Sequence, residues 1–257
     1  MLTQDQRERY QRHLMLEDVK EEGQEKLMQA SVLVIGAGGL GSPNTMYLAA
    51  AGVGRIGVLD FDIIELSNLQ RQIIHTTAEI NNSKVKSAQR KMLALNPDIQ
   101  VETYFNKFNA SNALEIIQSY DFVVDATDNF ASKFLINDAC VLANKPYSHA
   151  GVLKYRGQTM TILPKKSACF ACVFENPPDV ELNSYFKAGL FGVLPGLIGC
   201  IQAAEAIKYF LGFPLLLDTL LSVDTKGMDF RKIHIKRNPQ CRVCGEKGIQ
   251  ILQDYPQ

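Results

Sequence analysis

Short apolar, β-branched runs, each ended by glycine or a polar residue, recur along the chain. SVLVIG (31–36), RIGVLD (55–60), IQVETY (99–104), YDFVVD (120–125) and KPYSHA (145–150) have the form of buried strands. Between them, LGSPNTMYLAAAG (40–52), SKVKSAQRKMLALN (83–96), SNALEIIQ (111–118) and FASKFLINDACVLAN (130–144) carry helical spacing. Strand alternating with helix predicts a Rossmann-like, mostly parallel sheet flanked by helices, with ligands beyond the carboxyl ends of the strands. Two helices are expected over residues 4–30, the first carrying Arg9, Tyr10 and Arg12. From Gly151 the pattern changes to antiparallel strands at 155–163, 218–224 and 229–236, interrupted by one helix from about Pro195 to Leu211. ENPPDVELNSYFKAG (175–189) has no period and reads as a long mobile loop. One domain over 1–257 is expected: amino-terminal helices (1–30), a nucleotide-binding part (31–150) and a carboxyl part (151–257).

Charge narrows the partners. Lys plus Arg and Asp plus Glu each total 27, so the net charge is zero and neither nucleic acid nor membrane is favoured. The amino terminus is charged, and no run approaches the roughly 20 apolar residues of a membrane helix, which makes a cytoplasmic location the expectation.

Candidate chemistry begins at GAGGLG (36–41), which follows a strand and opens a helix. Gly36, Gly38, Gly39 and Gly41 allow close backbone approach to a phosphate, and the helix amino terminus favours negative charge. Asp60 closes the second strand, where such folds place a carboxylate on ribose hydroxyls. These features indicate a nucleotide without choosing between NAD and ATP. The following DFDIIELSNLQRQ tips the choice. It holds Asp62 and a polar cluster, Asn68, Arg71 and Gln72, on one helical turn, and Arg71 presents a planar cationic fork suited to polyphosphate. Lys84 and Lys86 stand in the first turn of the next helix, where the macrodipole disfavours cations unless an anion is present. In VVDATDN (123–129), Asp128 and Asn129 lie just past a strand end. Asp128 takes the magnesium role and Asp125 a supporting one, with capping of the next helix as a competing use for Asp125.

Cys169/Cys172 and Cys241/Cys244 form two C-x-x-C pairs, a complete four-thiolate set of the kind that binds structural zinc; redox chemistry is the competing use. Cys140 and Cys200 sit in apolar helical stretches and read as small buried hydrophobes. Among the histidines, His13, His75 and His234 read as surface or packing residues, and His149 as a candidate pocket residue at a strand end.

Arg12, G-A-G-G-L-G, D-F-D, S-N-L-Q-R-Q, Lys84, D-A-T-D-N and the two C-x-x-C pairs together resemble the MoeB/ThiF family of adenylyltransferases, from about Arg9 to Gly245. The resemblance implies a homodimer with one ATP per subunit. Gly39 and Gly41 would lie under the phosphates and Asp60 on the ribose. Asn68, Arg71 and Lys84 would grip phosphate, Asp128 would hold Mg2+, and Arg12 would reach into the partner's site. It further implies a ubiquitin-like sulfur carrier, similar to ThiS or MoaD, whose Gly-Gly carboxylate becomes an acyl-adenylate. Some relatives carry an acyl-accepting cysteine in the mobile loop. Tyr185 stands at that position here, so the reaction is expected to stop at the adenylate and leave the next step to a separate sulfur donor. The competing readings are adenylation of a peptide or other acid, an NAD-dependent oxidoreductase, and a zinc-stabilised binding module without catalysis.

Overall fold

The computed structural model describes residues 1–177 and 188–256. The sheet elements, in chain order, are β1 (Ser31–Ile35), β2 (Arg55–Leu59), β3 (Gln100–Tyr104), β4 (Phe122–Asp125), β5 (Tyr147–Leu153), β6 (Arg156–Ile162), β7 (Thr219–Asp224) and β8 (Asp229–His234). They form one eight-stranded sheet in the order β3-β2-β1-β4-β5-β6-β7-β8. The first five are parallel neighbours, and β5 through β8 pair antiparallel. Chain order reverses direction between β1 and β4, the position at which such sheets open a ligand crevice.

β1 is buried along its whole length, and its alternate side chains serve two cores. Val32 and Val34 join one cluster with Leu48, Val85 and Ile198. Leu33 and Ile35 join the other with Ile117, Leu135 and Tyr147. The period-two alternation of a strand thereby demands helices on both faces, which is why the run is apolar at every position. The first face is covered by α4 (Gly41–Ala50), α5 (Lys84–Leu95) and α9 (Val193–Leu211), with α3 (Lys20–Gln29) packed against α9. The second is covered by α6 (Ala113–Gln118) and α7 (Phe130–Leu142), with the short α8 (Phe170–Val173) against α7. α9 ends at Gly212, whose φ of 76° supplies the left-handed cap.

Two boundaries differ from the sequence pattern. The first helix stops early, as α1 (Gln4–Arg9), and restarts as α2 (Gln11–Leu14). The break falls at Tyr10, whose buried ring places its hydroxyl 2.9 Å from Asn96 Nδ2, an amide that donates to it and to Ala49 O. A tertiary anchor of that kind overrides local periodicity. β5 does not stop before Gly151 but continues to Leu153, because it pairs with β6 as far as Leu153 opposite Arg156. The loop expected at 175–189 lies largely outside the described residues, as does Tyr185.

Candidate active site

One cavity of about 910 Å³ opens beyond the carboxyl ends of the parallel strands. Gly36, Gly38 and Gly39 line it together with Asp60, Asp62, Arg71, Gln72, Lys84, Asp128 and Asn129. The sequence-selected nucleotide residues, drawn from four separate segments, therefore meet around one space. Asn68, Gly41 and Arg12 are not among its lining residues.

The glycine turn is dictated by backbone contact. Gly36 has φ of 104°, and a Cβ there would stand 2.5 Å from Ala126 O. At Gly41 a Cβ would stand 1.9 Å from Gly36 O, so this glycine closes the turn on itself rather than facing the cavity. The buried His75 fixes the turn from behind, donating from Nε2 to Ala37 O at 2.9 Å while Nδ1 meets Ser87 Oγ at 2.9 Å. Burial depresses the pKa of His75, in keeping with a neutral ring that donates through one nitrogen and accepts through the other. Asp60 accepts from Ala37 N and Asp62 N, both at 2.8 Å. Burial raises its pKa, with Lys84 opposing that shift.

Asn68 ends a 3-10 turn (Leu66–Asn68), and its carbonyl accepts from both Arg71 N and Gln72 N. Asn68 thus shapes the turn that presents the other two side chains. Arg71 Nη1 donates to Ser67 O at 3.1 Å, and the buried Gln72 Oε1 has no hydrogen-bond partner among the described residues. An orphaned buried acceptor at a cavity wall carries a desolvation cost that a ligand donor would relieve. Lys84, in the first turn of α5, is buried, and its Nζ donates to Asp62 Oδ2 at 2.8 Å. Arg12 lies exposed on α2 and does not line this cavity.

Past β4 the side chains divide their tasks. Asn129 caps α7, its Oδ1 accepting from Ser132 N at 2.8 Å, so the capping use considered for Asp125 is not the one found. Asp128 is exposed at the cavity rim. Asp125 is fully buried and accepts from His149 Nδ1 at 2.9 Å and from Lys133 Nζ at 3.3 Å. Burial by itself would raise its pKa, but Lys133 and His149 outweigh that and hold the carboxylate at about 2. Burial lowers the pKa of His149 against the opposing hydrogen bond to Asp125, leaving the ring neutral. His149 does line the cavity. Lys133 was not singled out by the sequence, although it carries the signal used for Lys84, a cation in the first turn of a helix.

Beyond His149 the cavity continues along β5 and β6, past Gly151, Gln158 and the rings of Phe170 and Phe174. Phe170 opens α8, directly after Cys169. Sγ atoms of Cys169, Cys172, Cys241 and Cys244 lie within 4.8 Å of one another, an arrangement able to hold a metal ion. The cluster joins the segment after β6 to the segment after β8 and sets Phe170 against His149, with ring centroids 4.4 Å apart. No helix among the described residues is long and apolar enough to cross a membrane.

Residues 10–243 match the ThiF family. The chain is 44% identical over 261 residues to the sulfur carrier protein adenylyltransferase of Thermus thermophilus, covering 98% of this chain and 96% of that protein. It is 45% identical over 261 residues to the adenylyltransferase and sulfurtransferase MOCS3 of Arabidopsis thaliana, covering 99% of this chain and 56% of that protein, so it spans only about half of that relative. Among solved structures it resembles E. coli MccB crystallised with succinimide, with TM-score 0.84, 27% identity, and coverage of 95% of this chain and 75% of that one. With MccB crystallised with ATP the TM-score is 0.78 at 28% identity, covering 87% and 68%. The chain belongs to the ThiF family.

Proposed function

We propose that this chain is an ATP-dependent adenylyltransferase that charges the C-terminal Gly-Gly carboxylate of a ubiquitin-like sulfur-carrier protein, giving an acyl-adenylate and pyrophosphate. The observation that carries the reading is the meeting of the glycine turn, Asp60, Arg71, Lys84 and Asp128 around one cavity that runs on along β5 and β6. The first part fits a nucleotide and the second an extended peptide tail. The family membership and the 44% identity to a sulfur carrier protein adenylyltransferase support the same substrate pair.

In this mechanism the carrier carboxylate attacks the α-phosphorus and pyrophosphate leaves in line, so no protein nucleophile is needed and positioning with charge stabilisation supplies the rate. The Gly36–Gly39 backbone faces phosphate, Asp60 exchanges its bond to Ala37 N for the ribose, and Gln72 offers its orphaned Oε1. Arg71 and Lys84 neutralise charge on the phosphates, Asn68 supports the turn that presents Arg71, and Asn129 holds the start of α7 beside Asp128. Asp128 is an exposed carboxylate at the rim, a donor that suits Mg2+ when phosphate and water complete the shell, and the ion would add charge neutralisation there. Four thiolates around a zinc ion at about 2.3 Å would stand about 3.8 Å apart. Three of the six Sγ separations, 3.4, 3.7 and 3.9 Å, lie near that value and all six fall within 4.8 Å, which supports a closed, structural Zn2+ site.

The enzyme works in the cytoplasm as a homodimer, with Arg12 entering the partner's cavity and a separate sulfur donor attacking the adenylate. Exposed Phe61, Ile63, Leu66 and Ile73, all in the segment beside the nucleotide residues, supply apolar surface for that interface. The whole chain acts as one adenylation unit, with the nucleotide handled by 31–150 and the carrier by the carboxyl part. ATP–pyrophosphate exchange against a panel of Gly-Gly-tailed carriers and short peptides tests the reading. Exchange dependent on a carrier supports it. Exchange with a free peptide alone would favour peptide adenylation instead.

A further inference from the structure

His149 holds a buried ring nitrogen with nothing to bind. The residue is 1% exposed, its Nδ1 donates to Asp125 Oδ2 at 2.9 Å, and Nε2 has no hydrogen-bond partner among the described residues. Asp125 is held by Lys133, whose Nζ also donates to Thr127 O at 2.7 Å and Ala150 O at 2.5 Å. The carboxylate therefore fixes the tautomer: Nδ1 carries the proton and Nε2 a free lone pair. Nε2 lies beside the cavity wall: His149 and Gly151 both line the cavity, and a Cβ on Gly151 would stand 3.9 Å from Nε2. Leaving such an acceptor buried costs free energy that a donor on a ligand would recover.

The ribose carboxylate and the glycine turn lie on other strands. Asp60 follows β2 and the glycine turn follows β1, whereas His149 is on β5, beyond β4. At the usual strand spacing it stands about 10 Å from β1 and about 14 Å from β2. On its far side are Gly151, the opposing Gln158 and the ring of Phe170. The Gly-Gly tail of the proposed carrier is an extended chain of small residues, and its recurring donor is the peptide N–H.

We propose that His149 Nε2 accepts a hydrogen bond from one of the last two amide N–H groups of the carrier tail, making His149 a specificity-determining residue for peptidyl carboxylates. The inference rests on the adenylation reading above. Gly151 keeps the space beside Nε2 open, and Asp125 with Lys133 acts as the positioning pair.

The test is ATP–pyrophosphate exchange with a Gly-Gly carrier and two semisynthetic versions in which an ester oxygen replaces the last or the penultimate amide N–H. Wild type should lose about tenfold in kcat/KM with one of the two esters. His149→Leu should lose about as much with the natural carrier and be indifferent to that ester, while ATP affinity without carrier stays within about twofold. His149→Gln, which keeps one donor and one acceptor, should restore discrimination. Gly151→Ala, whose new methyl meets Gln158 no closer than 3.5 Å, should fold and should also lose discrimination, which keeps the idea testable if His149→Leu does not fold. Indifference of wild type to both esters, additive losses in His149→Leu, or a change in ATP affinity instead would each overturn the inference alone. Absence of exchange with every carrier would overturn the adenylation reading with it.

Discussion

Lys84 Nζ is 2.8 Å from Asp62 Oδ2, although the lysine is buried and the aspartate side chain is 49% exposed. The pair is held at the start of α5, where the helix dipole opposes a cation. A half-exposed carboxylate is a weak counterion, so an incoming phosphate gains most from Lys84. Replacing Lys84 or Arg71 by alanine should lower ATP–pyrophosphate exchange by roughly 10²- to 10³-fold with little change in Tm. Exchange insensitive to both substitutions would refute the phosphate assignments.

Acid should weaken the fold in two stages. His149 and His75 have pKa values depressed below the ordinary 6.5, and Asp125 sits at about 2 against 3.8. Each group is depressed in the folded state, so its contribution is complete above the unfolded value and declines as pH falls. The contribution of these three groups to unfolding free energy should be level above about pH 6.5, decline below it as the unfolded histidines take up protons, and fall by about 2 kcal/mol more between about pH 4 and 2 through Asp125. Glu79, which burial would raise but Lys91 and Arg90 hold low, adds to the acid loss, and Asp60, raised by burial, opposes it. Denaturant titrations across pH would check this, and His149→Gln should flatten the upper stage to the share left by His75. Lys133→Met, which strands the buried carboxylate, should cost about 3–5 kcal/mol at neutral pH.

The four-thiolate cluster should bind one zinc ion per chain, measurable by elemental analysis of the purified protein. Because it ties the segment after β6 to the one after β8, removal by a strong chelator or by Cys241→Ser should lower Tm by about 10 °C or more. Phe170 follows Cys169 and backs His149, so carrier KM should rise before ATP affinity changes. Full metal content with unchanged Tm in Cys241→Ser would contradict this.

Much of the site is readable in sequence because its parts are local. β-branched runs fixed the parallel strands, GAGGLG marks a turn whose backbone crowding excludes side chains, and C-x-x-C spacing states its own chemistry. What escaped reading depends on distant partners. Tyr10 breaks a helix because Asn96 anchors it, and β5 runs past Gly151 because β6 pairs with it. Lys133 gains meaning only when α7 brings it onto Asp125 and the carbonyls of Thr127 and Ala150.

No covalent acyl-enzyme should form. Outside the four-cysteine cluster the cysteines are Cys140 and Cys200, and burial raises the pKa of both thiols, leaving little thiolate at neutral pH. Tyr185, outside the described residues, occupies the position where a loop cysteine is expected in some relatives. Mass spectrometry of enzyme, ATP and carrier under non-reducing conditions should show carrier adenylate and no reductant-sensitive adduct. Detection of such an adduct would reverse the assignment.

Arg12 offers the sharpest test of assembly, because it is exposed on α2 and does not line its own cavity. If it serves the partner's site in a two-fold dimer, Arg12→Ala and Lys84→Ala chains should each be nearly inactive alone yet complement one another when mixed. In a mixed dimer, the subunit bearing Arg12→Ala keeps its own Lys84 and receives Arg12 from its partner, restoring one complete site. The other site then carries both losses. Random exchange makes half the dimers mixed and restores one site in each, so activity should return to about a quarter of wild type. A mixture no more active than its components would mean that Arg12 acts within its own chain or not at all.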